Sequence, residues 1–323
     1  MWYNDEDNFK LGVTRVIEAK RAALDHEKRL RWLLAQPDEL AEHADSIVKL
    51  LRFDDPAVRR AALEALEALP PEKISPHGSA LVPMLRDDKE EVREAAVRAI
   101  GKLEAAALSH LAPTMLLQLD HATQHPHVRR ANVLALGHLE PLKLAQYAHA
   151  ICTRLTDQYP FVRKAVLEVM GRLDQGALLP HATLMMMRLE DESKEVRDAA
   201  VATLGRVAAS LGLNAIVART AHPECGVRHS AVTLLGKLEP AMLNERIHVI
   251  VARTDDDKDH VRGEALRVLQ SLPPQELAKH IDTVARRLED PSAAVRHAAV
   301  DTIAKLERHV LLVYMPAVVR CCL

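Results

Sequence analysis

Seventeen histidines, four cysteines and 45 carboxylates in 323 residues supply enough groups for metal binding or acid–base work, so their spacing decides whether any chemistry is built. His43, His77, His110, His181 and His280 begin apolar segments at repeated intervals. Packed helices lie ~8 to 10 Å apart, whereas zinc needs ligand atoms ~2 Å from one ion, so equivalent positions of successive helices do not share a metal. The tightest cluster is His121, His125 and His127 in DHATQHPHV, three imidazoles on one loop with no Cys or carboxylate pattern to fix a fourth ligand. It reads as a polar surface loop, and no metal is expected. Met185, Met186 and Met187 read as core filling rather than a soft-metal site. P-loop, GxGxxG and GxSxG motifs are absent, and no Ser, His and Asp arrangement stands out. Neither catalytic residues nor a cofactor is expected.

Composition narrows the classes further. Lys plus Arg number 43 against 45 Asp plus Glu, a formal charge of −2, and there are only 11 Gly, three Phe, four Tyr and two Trp. Glycine is usually near ~7% of a chain, and this scarcity of turn and strand formers argues against all-β and nucleotide-binding α/β folds. With no net positive field and few aromatic rings, generic nucleic-acid binding is disfavoured. Cys152, Cys225, Cys321 and Cys322 form neither a disulfide framework nor a CxxC knuckle, and read as reduced thiols of a cytoplasmic or otherwise intracellular protein. The acidic start MWYNDEDNFK is unlike a signal peptide, and no apolar run reaches the ~18 residues of a membrane span.

The elements that position these residues are set by a repeat. Val-Arg followed by small and apolar residues recurs at Val58, Val92, Val128, Val162, Val196, Val227, Val261 and Val295, at spacings of 34, 36, 34, 34, 31, 34 and 34 residues. A second apolar segment precedes each, as in HADSIVKLL from His43 and HIDTVARRL from His280. Apolar residues three and four apart make both segments amphipathic helices. Asp-rich links such as FDDPA and EDPSA separate the two, and Gly or Pro in GKLEPAM and QSLPPQE separates one repeat from the next. A lone helix pair does not bury its apolar face, but stacked pairs share a core. The expected fold is all-α, an α-solenoid of antiparallel helix pairs with one continuous core and no sheet. Its divisions are a degenerate helical cap over residues 1–36, eight repeats over 37–308, and the first helix of an incomplete ninth over 309–323.

These repeats resemble HEAT repeats, in particular the short, uniform kind of the HEAT-like phycobilisome-lyase group. The resemblance implies a HEAT-like, armadillo-type superhelix whose second helices line the concave side. It also implies a ladder between neighbouring repeats, from Arg59, Arg93, Arg129, Arg163, Arg197, Arg228, Arg262 and Arg296 to acids near Asp55, Asp88, Asp191, Asp257 and Asp290. Repeats three and six lack an Asp at that offset. A HEAT-like di-iron family, the deoxyhypusine hydroxylases, uses His-Glu pairs on successive repeats. Here His229-Ser230, Gly263-Glu264 and His297-Ala298 stand at the comparable places, so the ligand pairs are absent.

Three surface features remain. Counting each repeat's Val as zero, offsets 2, 6 and 10 advance close to one turn each and form an exposed stripe. Its centre carries Arg130, His138, Lys164 and Arg172, which suits an acidic segment of a partner protein, although cations at a helix C-terminus also complement its dipole. Tyr159 and Phe161 lie on the loop of repeat four as a protein-binding anchor or as local packing. At the end of the sequence, Val318, Val319, Cys321, Cys322 and Leu323 present an apolar edge suited to self-association or to further repeats. Cys321-Cys322-Leu323 also resembles a double-cysteine prenylation end, yet it fits the repeat alignment. The function expected is a non-catalytic protein-interaction scaffold or adaptor. The alternatives are a phycobilin-lyase-like enzyme or subunit, and a nucleic-acid binder using the basic stripe.

Overall fold

The computed structural model describes residues 5–120 and 125–322, with side chains from residue 18 onward apart from 19, 38, 120, 308–310, 317 and 320–322. Among the described residues every regular element is helical, in an α-solenoid arrangement of successive helix pairs. Each Val-Arg motif opens a helix: Pro56–Glu67, Glu90–Ile100, Pro126–Leu136, Pro160–Met170, Lys194–Leu204, Cys225–Leu235, Asp259–Gln270 and Ala293–Ile303. The apolar pattern dictates which face is buried. Offsets 0, 4, 8 and 11 all lie in the core, as Val162, Val166, Met170 and Leu173 do in repeat four. Those offsets return to one side of a 3.6-residue helix, and full burial of each large side chain contributes roughly 1.5–3 kcal/mol.

The first segments are less regular than their sequence pattern predicts. In repeat one the chain runs as Pro37–Glu42 and Ala44–Leu50, joined at His43 with φ −96° and ψ 5°. His77, His181 and His280 hold nearly the same conformation, as does Arg246 in repeat seven. These histidines therefore mark a kink inside the segment, not its start. The segment begins six residues upstream at Pro37, Pro71 and Pro274, where proline fits the first turn. Backbone bonds continue across the kink: the His43 N–H donates to the carbonyls of Glu39 and Leu40, and its own carbonyl accepts from Ser46 and Ile47. His110 differs, lying inside the uninterrupted helix Ala105–Asp120.

Contacts gather into two compact bodies, residues 1–154 and 155–323. The boundary falls between the two helices of repeat four, where the periodicity predicts one uninterrupted core. In the N-terminal body the 30-residue helix Asp5–Leu34 packs against the Val-Arg helix of repeat one, burying Ala23, Leu30 and Leu33 and leaving Trp32 exposed. In the C-terminal body the last helix is Arg308–Cys322, which Tyr314 ties down by donating to Asp282 at 2.8 Å. Leu312, Val313 and Val319 on that helix are exposed and Val318 is half-buried. The side chains of Cys321 and Cys322, and all of Leu323, lie outside the described residues.

Adjacent repeats are joined by arginine. Arg59, Arg163, Arg228 and Arg262 each place Nε and Nη2 on the two carboxylate oxygens of Asp87, Asp191, Asp256 and Asp290, 28 residues onward, at 2.6–2.9 Å. The acids of the ladder are thus Asp87 and Asp256, not the neighbouring Asp88 and Asp257; Asp257 only adds a contact to Arg228 Nη2. Asp55 serves its own helix instead, accepting from the Ala57 N–H at 2.8 Å. The remaining nitrogen, Nη1, holds the arginine's own loop: Arg163 donates to the carbonyls of Asp157 and Gln158, and Arg262 to those of Asp256 and Asp257. Each acid also accepts from the backbone N–H two residues on, as Asp290 does from Ser292 at 3.0 Å. Burial pushes the carboxyls of Asp87, Asp256 and Asp290 upward, but the arginine bonds, the loop N–H and the positive charge together hold them below the ordinary 3.8.

Two outcomes follow from the buried pairs. Asp290 is fully buried on Arg262, so Asp290→Ala strands a guanidinium and should lower stability by about 3 kcal/mol, read as a drop in the urea midpoint. A carboxyl with a depressed folded pKa stabilises the fold above its unfolded value, and that contribution is lost as pH falls through the folded value. Acid unfolding should therefore steepen below about pH 4, and the triple change of Asp87, Asp256 and Asp290 to Asn should flatten that limb of the melting-temperature profile.

Candidate functional site

The second helices leave the predicted stripe on the surface. Every residue at offset 10, from Ala68 through Lys102, His138, Arg172, Arg206, Lys237 and Ser271 to Lys305, is exposed. Their bases lie against the preceding repeat. A Cβ on Gly101 would stand 2.6 Å from the His138 ring, and one on Gly205 would stand 3.1 Å from Lys237 Cγ. Arg206 donates from Nη1 to the carbonyl of Gly171. Small residues at offset 9 thus admit the next repeat's offset-10 side chain over the helix end, where a cation meets the free carbonyls.

The stripe is laced with acids that spacing alone does not reveal. Arg130 lies 3.3 Å from Glu90 and 3.8 Å from Glu94 of the preceding repeat, and Lys164 lies 3.5 Å from Glu168. Arg130 and His138 belong to the N-terminal body, Lys164 and Arg172 to the C-terminal one. Within the latter, Lys164, Glu168, Arg172, Asp198, Ala202 and Arg206 line an open groove of about 540 Å³ spanning two consecutive repeats. Tyr159 is 39% exposed at the head of Pro160–Met170, its ring centroid 5.6 Å from that of the half-buried Phe161. The two aromatic residues are brought together, with one edge open to solvent.

The histidine loop is only partly within the described residues, since His121 is not. His125 and His127 stack with centroids 5.2 Å apart, and burial holds His127 below the usual imidazole range. Met185 and Met186 are buried in the core, whereas Met187 is exposed. Cys152 is buried, which pushes its thiol up to about 12 and makes it a poor nucleophile.

Sequence reasoning did not single out a cavity of about 700 Å³ between repeats five and six, lined by Arg197, His222, Cys225, Gly226, His229 and His260. Burial holds His229 below the ordinary imidazole range, and its ring lies 5.7 Å from that of His260. The signal was present in the chain, as the 31-residue spacing of repeat six and its lack of the ladder Asp.

Residues 45–118 match the family described as HEAT repeats, and residues 281–303 match the HEAT repeat associated with sister chromatid cohesion. Those two segments are HEAT repeats. No curated protein matches its sequence. Among solved structures it is similar to a chain of a homology model of the full-length AP-3 complex in an intermediate open conformation, with 12% identity and a TM-score of 0.62 over 92% of this chain and 56% of that one. The karyopherin Kap121p bound to the SUMO protease Ulp1p is similar at 12% identity and TM-score 0.53, over 86% of this chain and 39% of that one. An engineered protein matches at 17% identity and TM-score 0.47, over 94% and 88%. The chain therefore spans about half of the AP-3 chain and two fifths of the karyopherin. At these identities the likeness is one of fold. Among the described residues no helix is long and apolar enough to cross a membrane.

Proposed function

We propose that this chain is a non-catalytic, intracellular scaffold that holds a protein partner on its second-helix face. The observation that carries the reading is the groove along Lys164, Arg172, Asp198 and Arg206. It continues from one repeat to the next, as an extended segment requires, and its side chains are spared from both core and ladder. Arg172 makes no ion pair within it, so a cation is left for an acidic side chain. Fold likeness to a chain of the AP-3 complex and to a karyopherin that is bound to a protein agrees with such a use. Glu90, Glu94 and Glu168 beside Arg130 and Lys164 temper the field that a phosphate backbone would require. Reversing Arg130, Lys164 and Arg172 to Glu should weaken capture of the native partner about tenfold while helicity stays unchanged. Equal capture by the folded variant would move the site to the Tyr159 and Phe161 loop.

The exposed apolar edge at Leu312, Val313 and Val319 is proposed as a surface for self-association or for a further repeat. Light scattering should show growth with concentration that Leu312→Lys with Val313→Lys abolishes. A monomer at all concentrations would remove self-association from the reading.

A further inference from the structure

The ladder is interrupted once inside the C-terminal body. Arg197 keeps the local half of its role, donating from Nη1 to the carbonyls of Asp191 at 2.7 Å and Glu192 at 3.0 Å. In repeat six, however, the position five residues before Val227, which in repeats two, five, seven and eight holds the ladder Asp, is His222. His222 preserves the turn: its Nδ1 accepts from the Glu224 N–H at 3.1 Å, as Asp256 and Asp290 accept from Lys258 and Ser292. An imidazole accepting at Nδ1 carries its proton on Nε2 and is there a donor. It does not replace the carboxylate that Arg197 Nε and Nη2 would otherwise receive, and among the described residues no acid lies within ion-pair distance of Arg197.

The surroundings suit one carboxylate. A Cβ on Gly226 would stand 2.5 Å from Arg197 Nη2, so the guanidinium lies flat on the bare glycine and nothing from that position covers it. Other repeats carry Phe161, Glu195 or His260 there. The cavity in front, about 700 Å³, falls in the ~300–1,000 Å³ range of ligand sites. Of its five lining acids, four are engaged, Asp191 and Glu192 with Arg163, Glu190 with Arg219 and Asp198 with Lys194, while Glu224 adds a further negative charge. Their negative charge opposes a phosphate dianion but leaves room for a monoanion against the planar, bidentate fork of an arginine.

We infer that Arg197 anchors a socket for a single Asp or Glu side chain of a bound peptide, which completes the ladder from outside the chain. The inference rests on the reading of the chain as a protein-binding scaffold and names a second anchor on it. Its test uses the full chain and defined probes, with the Arg197 Nε–H signal in ¹⁵N–¹H spectra as readout. Capped Gly-Glu-Gly and Gly-Gln-Gly peptides, acetate and inorganic phosphate are the four ligands. The Glu peptide and acetate should shift that signal saturably, with the Glu peptide at least tenfold tighter than the Gln peptide. His222→Asp supplies the carboxylate internally, so it should raise the melting temperature and abolish binding without disturbing the loop that Arg197 Nη1 holds. Equal affinity for Glu and Gln peptides, tighter binding of phosphate than of acetate, or undiminished binding by the His222→Asp variant would overturn the socket. None of these results depends on Lys164 or Arg172, so the groove reading stands or falls separately.

Discussion

One side chain couples the two scales of this fold. Arg59, Arg93, Arg163, Arg197, Arg228, Arg262 and Arg296, each following its repeat's valine, give Nη1 to their own inter-helix loop, and Arg59, Arg163, Arg228 and Arg262 also give Nε with Nη2 to an aspartate of the next repeat. A lysine would have charge but no fixed fork, and would not serve both partners in a plane. The loop that receives Nη1 also carries the aspartate that answers the preceding repeat's arginine, as Asp191 and Asp256 show. Each bond therefore fixes the geometry of the next. Buried ion pairs are a weak source of net stability, because desolvation offsets much of the attraction. Their contribution here is register: a helix pair displaced along its neighbour by one turn would leave an arginine and an aspartate buried apart.

Periodicity made most of the architecture legible. Valine at offset zero, most often alanine at four and large apolar residues at eight and eleven fix the buried face, and these four offsets are buried in all eight Val-Arg helices. The kinked first segments were harder. A histidine at the joint reads as a helix start because the apolar run begins after it, while the turn before it, such as Pro37–Glu42, is short and largely polar. Of the expected ladder acids, Asp191 and Asp290 are rungs, Asp88 and Asp257 lie one residue off, and Asp55 caps its own helix. Both Asp87 and Asp88 suit a turn, and only the span of the arginine side chain selects the first of them.

The surface was legible by position but not by charge. Offset arithmetic put Arg130 on the exposed stripe, yet Glu90, 40 residues earlier, reaches it only because the preceding repeat's loop comes alongside. His138 looked like one more stripe residue, whereas the glycine at position 101 lets its ring settle on the neighbouring backbone. Such contacts depend on the distance between repeats, a quantity that residue spacing within one repeat does not carry.

The division of labour along each second helix explains why a repeat this regular keeps room for function. Offsets 0, 4, 8 and 11 are taken by the core, offset 1 by the ladder and offset 9 by close approach of the next repeat. Changes there disturb every neighbour in turn. Offsets 2 and 6 bear none of these duties, so they can vary from Arg130 to Asp198 or from Glu168 to Ala202 without cost to register. Specific recognition must then be written in those free offsets, or at a place where the repeat itself is broken. Repeat six offers the second kind of place: its shortened spacing and His222 release Arg197 from structural duty, and an arginine without its carboxylate is chemically a receptor for one.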